Sequence, residues 1–214
     1  MLLVRLVDIG HSVVMLPVAA AITAHLIAGR ASKSAMLWLV MFTAGLTVVA
    51  FSKLLFLGWG IEISMLDFQA LSGHAFRATA VIPTFFFVVA RPISASCGKN
   101  AVTLGIAASL VICWLLIYFN FHTISEVLVS AVLGLAVGLG FIRVAKQTNL
   151  PPVTAINTAC ATFFLLVVVI IDPSSMNHRL ADIAHYLARK GSAHEWNTLK
   201  TCRRSAAQTV ENAA

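Results

Sequence analysis

Six long apolar runs, each of a length to cross a bilayer, constrain this chain more than any motif it carries. A helix needs about 20 mainly apolar residues to span the hydrocarbon, and residues 12–29, 35–52, 75–90, 101–121, 123–142 and 153–171 form such runs, bounded by charges, glycine or proline. The third is the shortest and holds Arg77 and Pro83. Only 11% of the 214 residues are charged, well below the roughly 25% of an average soluble domain, and this excludes a water-soluble fold. Ten of the charged residues stand after residue 171, so the body of the chain is poorer still in charge. The expected fold class is all-α: a polytopic membrane helix bundle with about six transmembrane helices over residues 1–171. A C-terminal tail, 172–214, follows; within it 176–190 has the three-and-four spacing of an amphipathic surface helix, and a weakly ordered solvated tail is the alternative.

Charge placement sets the expected orientation. The connections after the first, third and fifth runs carry Arg30, Lys33, Arg91, Lys99, Arg143 and Lys146 and no acidic residue, which marks that face as cytoplasmic under the positive-inside rule. The basic residues of the tail fall on the opposite face if all six runs span, but most lie beyond the 15 to 20 residues that dominate orientation. A second reading makes the first run a cleaved secretory signal ending near Ala19-Ala20-Ala21. The run continues to Leu26, which favours a retained span; removal would leave five. The expected location is a bacterial inner membrane. The net charge of +7 comes with no nucleic-acid motif. Cys97, Cys113, Cys160 and Cys202 lie far apart, with no paired spacing that suggests a zinc site or a disulfide framework.

Histidine, lysine and carboxylate gather at the ends of runs on the other face. Lys53 closes the second run, Ser72-Gly73-His74 leads into the third, and His122 leads into the fifth with Glu126 four residues later. An i, i+4 pair shares one helix face about 6 Å apart along the axis. Glu126 can therefore hold one imidazole nitrogen of His122 and leave the other as nucleophile or ligand. Ser72 and Gly73 offer a hydroxyl and an approachable amide at a helix N-terminus, where anions are favoured; their bland reading is a cap and a turn. Lys53 adds a phosphate-pairing charge or snorkels to the interface. Gly134 and Gly138 make a small-xxx-small pair that predicts close helix packing.

Leu71-Ser72-Gly73-His74 and His122-Thr123-Ile124-Ser125-Glu126, with Lys53 ahead of them, resemble the three motifs of the type 2 phosphatidic acid phosphatase superfamily. Their order, separation and placement at span ends match over roughly residues 35 to 142. The resemblance implies a six-span lipid phosphatase in which His122, His74 and Glu126 are catalytic and Lys53, Ser72, Gly73 and Arg77 bind phosphate. His122 would attack phosphorus, Glu126 would orient it, and His74 would protonate the leaving oxygen and then activate water. No cofactor is implied, and the partners are a lipid phosphate substrate and the bilayer. The departures concern the phosphate clamp: Gly60-Ile61 and Leu115-Leu116 stand where the motifs place Arg-Pro and Ser-Arg, so both bidentate guanidinium forks are missing. Arg77, three residues after His74, lies on the same helix face and is a substitute cation or an interfacial anchor. Two other readings remain: a member that binds lipid phosphate without hydrolysing it, and a haem-binding or transport protein using His11, His25, His74 and His122. The third is disfavoured because His25 lies near the opposite membrane face from the other three.

Overall fold

The computed structural model describes residue 7 and residues 10–151, except 64, 66 and 149. The expected sixth span and the tail lie outside the described residues. Within them the chain is all helical: α1 (Ser12–Ala28), α2 (Ser32–Trp59), α3 (Gly73–Ala90), α4 (Ala95–Tyr118) and α5 (Ile124–Ala145). The last four are long and apolar enough to cross a membrane, and α1 is apolar but shorter at 17 residues. Their outward faces carry Phe51, Trp114, Leu128 and Val132 exposed, while Thr79, Thr84, Ser109 and Ser130 are turned inward and buried. Apolar outside and small or hydroxyl-bearing inside is the arrangement of helices that pack against each other in lipid. These features mark an integral membrane protein.

Caps and hydropathy place the helix ends differently. Ser94, Ser72 and Thr123 each accept a hydrogen bond at an N-cap, satisfying one of the amides a helix start leaves unpaired. The fourth run therefore begins as a helix at Ala95 and not at 101, with Lys99 inside it. The second run was expected to end at Lys53; α2 instead continues to Trp59 and stops where Gly60 takes the left-handed conformation, φ 65°. At 28 residues the helix is about 42 Å long, more than a hydrocarbon core of about 30 Å requires. Lys53 thus sits within the helix near its end.

The third helix forms the centre of the bundle. It packs most extensively against α4 and α5 and also touches α1 and α2, while the pairs α1–α2, α2–α5 and α4–α5 close round it. Gly134 and Gly138 make the α3–α5 contact possible: a Cβ on Gly134 would strike the Thr79 hydroxyl and approach the Phe76 carbonyl to 2.5 Å, and one on Gly138 would meet the Ala80 carbonyl at 2.8 Å. Thr79 and Thr84 return their hydroxyls to the α3 backbone at Ala75 and Ala80, each 2.7 Å, so neither leaves a polar group unsatisfied in the core. Trp38 stacks on Phe42, Phe42 on Phe76, and Phe141 meets Trp38 edge-on. The Trp38 indole donates to the Ala19 carbonyl at 3.1 Å and ties α2 to α1.

The ring round α3 is open between α1 and α4, which are not in extended contact. An apolar groove of about 440 Å³ lies there, lined by Val14 and Val18 of α1, Ile82 and Phe86 of α3, and Val111 and Ile112 of α4. Ile112 also lies against Gly10, so one end of the groove reaches the start of α1.

Candidate active site

The odd-numbered helices α1, α3 and α5 all begin at one end of the bundle, and their first turns are tied together. Arg77 Nη2 donates to the Gly10 carbonyl at 3.5 Å, joining α3 to the start of α1. The Ser72 amide donates to Ser130 Oγ at 2.7 Å, joining the start of α3 to α5, and the Ser130 hydroxyl donates in turn to the Glu126 carbonyl at 2.6 Å. The Leu71 amide donates to Ser52 Oγ at 2.7 Å and anchors the same segment on α2. Each helix N-terminus presents the positive end of its dipole, and three of them meet here.

His122 and Glu126 adopt the arrangement their spacing predicts. Nδ1 of His122 lies 2.8 Å from Oε2 of Glu126, which assigns any reaction at an electrophile to Nε2. Glu126 is itself buried and accepts from two backbone amides, Gln69 at 3.2 Å through Oε1 and Thr123 at 3.3 Å through Oε2. The second of these closes a capping box with Thr123, whose hydroxyl accepts from the Glu126 amide. One carboxylate therefore caps α5, holds the loop after α2 and orients an imidazole. Glu126→Ala strands both amides, and an unsatisfied partly buried donor costs about 1–3 kcal/mol. The expected result is a clear fall in the unfolding temperature of the purified protein, with Glu126→Gln, which retains an acceptor oxygen, falling less.

The other residues named from the sequence are at the same rim, in different roles. His74, half-buried in the first turn of α3, lies within the electrostatic reach of Arg77, His11, His122 and Lys53. Lys53 feels Arg77 and Glu126 in turn, so these six side chains are electrostatically linked at one rim. The expected phosphate-binding hydroxyl of Ser72 is fully buried and accepts from the Ala75 amide at 3.4 Å; its role here is the cap. Gly73 is buried beneath Arg77, because a Cβ at that position would meet Nη1 at 2.8 Å. The absent side chain lets the guanidinium fold back over the start of α3. Arg77 is itself buried, 9% exposed, and its Nε has no hydrogen-bond partner among the described residues. The positions lacking motif arginines differ in setting: Gly60 ends α2 in the left-handed conformation, whereas Leu115 and Leu116 are packed in the core and leave no room for a fork.

His11 was not assigned to this constellation from the sequence. It is the N-cap of α1, its Nδ1 accepting from the Val13 amide at 3.5 Å. Its ring stands edge-on to His74 with centroids 5.2 Å apart. The signal that could have found it is positional: α1 and α3 start at the same membrane face, each with a histidine in or beside its first turn. His25, the remaining histidine of α1, is buried at the helix's other end. Among the described residues no three His, Cys, Asp or Glu side chains are placed to hold one metal ion together.

Comparison with known proteins gives one informative relative. Over 143 residues, 66% of the chain, the sequence is 33% identical to a Klebsiella pneumoniae protein described as "Uncharacterized 22.5 kDa protein in cps region", 68% of which is covered. The chain belongs to the family of that protein. The relative's description assigns no chemistry, no family model matches the chain, and no solved structure matches it.

Proposed function

We propose that the chain is a membrane phosphatase that hydrolyses a lipid phosphate monoester or diphosphate through a phosphohistidine on His122. The observation that carries the reading is that His122, held through Nδ1 by Glu126, lies within electrostatic reach of His74 at a rim shared by three helix N-termini and the cations Lys53 and Arg77. Phosphoryl transfer requires chiefly positioning and preorganised positive charge, and both are supplied by residues of this cluster. Nε2 of His122 attacks phosphorus as the P–O bond to the lipid breaks, and the departing oxygen takes a proton from His74. Water then adds to phosphorus while giving its proton to His74, the P–N bond breaks, and inorganic phosphate leaves. The apolar groove between α1 and α4 supports a substrate with a hydrocarbon tail, since it begins beside Gly10 and runs along the bundle's open side. The six basic residues at the opposite ends of the helices support a site facing the periplasm or exterior of a bacterial inner membrane.

A second reading keeps the binding and drops the chemistry. It is favoured by Gly60 at the end of α2 and Leu116 in the core, the two positions where guanidinium forks are missing. The deciding experiment offers purified protein a panel of lipid phosphates and measures released phosphate. Release supports the phosphatase; saturable binding without release of phosphate from any member of the panel supports the binding protein. Reporter fusions at Lys33 and Glu62 test sidedness, and a cytoplasmic signal at Glu62 would reverse the orientation.

A further inference from the structure

We propose that His11 is a third imidazole of the phosphate site, donating from Nε2 to a phosphate oxygen beside Arg77 and making up for one of the missing arginine forks. The inference rests on the reading of this rim as a phosphate site. Three features bring the start of α1 onto the start of α3: Arg77 Nη2 on the Gly10 carbonyl at 3.5 Å, Gly10 lying beside the His74 ring, which a Cβ there would meet at an ordinary 3.6 Å, and the His11 ring edge-on to His74. A cap alone does not need them. Serine, threonine, asparagine and aspartate are the usual side chains for an N-cap, and a histidine accepting at 3.5 Å is a long and weak one. The bond favours one tautomer: with Nδ1 accepting from Val13, the neutral ring carries its proton on Nε2. Beside it lies Arg77, nine-tenths buried and with Nε unpartnered among the described residues. A buried guanidinium with a donor to spare calls for an anion. A phosphate at this point would take the Arg77 donor, the His11 donor and the positive ends of α1 and α3 together.

The test uses the full chain in detergent with inorganic phosphate as the probe, measuring affinity and unfolding temperature side by side. His11→Ser restores a preferred cap and removes the imidazole. His11→Gln keeps a neutral N–H donor of similar reach. The expected result is about tenfold weaker phosphate binding in His11→Ser, the scale of one hydrogen bond to a charged group, at an unchanged unfolding temperature. His11→Gln should recover part of the loss, and the His11 imidazole resonances should move when phosphate is added to the wild type. Wild-type affinity in His11→Ser overturns the inference, as does a loss of affinity that merely follows a fall in unfolding temperature. Binding that depends on His11 in a protein that hydrolyses no lipid phosphate sustains the inference and sinks the phosphatase. Hydrolysis unaffected by His11→Ser does the reverse, and a wild type that binds no phosphate sinks both.

Discussion

Replacing His122 with alanine is expected to abolish phosphate release from whichever lipid phosphate the wild type hydrolyses, a loss on the order of 10³-fold or more for removal of a nucleophile. The other groups described at the rim already have roles. Glu126 is committed to two amides and to His122 Nδ1, and His74 is assigned to proton transfer. The comparison with His74→Ala separates the two roles, because general acid–base catalysis contributes about 10²–10⁴-fold and acts in both steps. With an aryl phosphate, whose leaving oxygen needs no proton, His74→Ala should complete the first step and stall in the second. Acid-labile phosphate should then accumulate on the chain in His74→Ala and be absent in His122→Ala. Equal turnover by wild type and His122→Ala would remove the phosphohistidine mechanism altogether.

The second large effect is structural. Gly134→Ala is expected to lower the yield and unfolding temperature sharply, because its methyl group would meet the Thr79 hydroxyl and the Phe76 carbonyl inside the α3–α5 contact. A backbone carbonyl cannot rotate away, so the helices must separate, and overpacking of this kind typically costs about 1–3 kcal/mol. Gly140 on the same helix provides the control. A Cβ there meets only the terminal methyl of Met41, at 2.8 Å, which can swing aside, and Gly→Ala within a helix gains roughly 1 kcal/mol in propensity. Gly140→Ala should therefore match or exceed the wild type in stability. Similar behaviour of the two variants would mean that α3 and α5 do not pack as closely as Gly134 and Gly138 indicate.

Much of this arrangement is legible in the residues, and the gaps have a common cause. Apolar runs show where lipid surrounds the chain, and they locate four spanning helices together with the shorter α1. They do not mark where helices stop. The boundaries at Lys53 and 101 followed charge, whereas α2 ends only where Gly60 turns left-handed and α4 starts where Ser94 caps it. His122 and Glu126 could be paired from the sequence because their spacing is a property of one helix. Ser72 was read as a ligand for phosphate, yet its hydroxyl is enclosed and spent on the Ala75 amide. The place of His11 depends on how α1 leans on α3, and no local pattern encodes a contact between residues 63 apart in the chain.

The position of α3 has a consequence for biogenesis. It is the least apolar of the four spanning helices and the most enclosed by its neighbours, and it carries Arg77 one turn from its start. On a translocon scale an arginine at the centre of a helix is unfavourable by about 2.5–3.5 kcal/mol, less toward the ends, so this helix gains little from meeting lipid on its own. Two of the helices that sheathe it are synthesised before it and two after. Its stable residence in the bilayer is expected to wait for α4 and α5 to leave the ribosome, so an earlier-made helix settles only after two later ones have emerged.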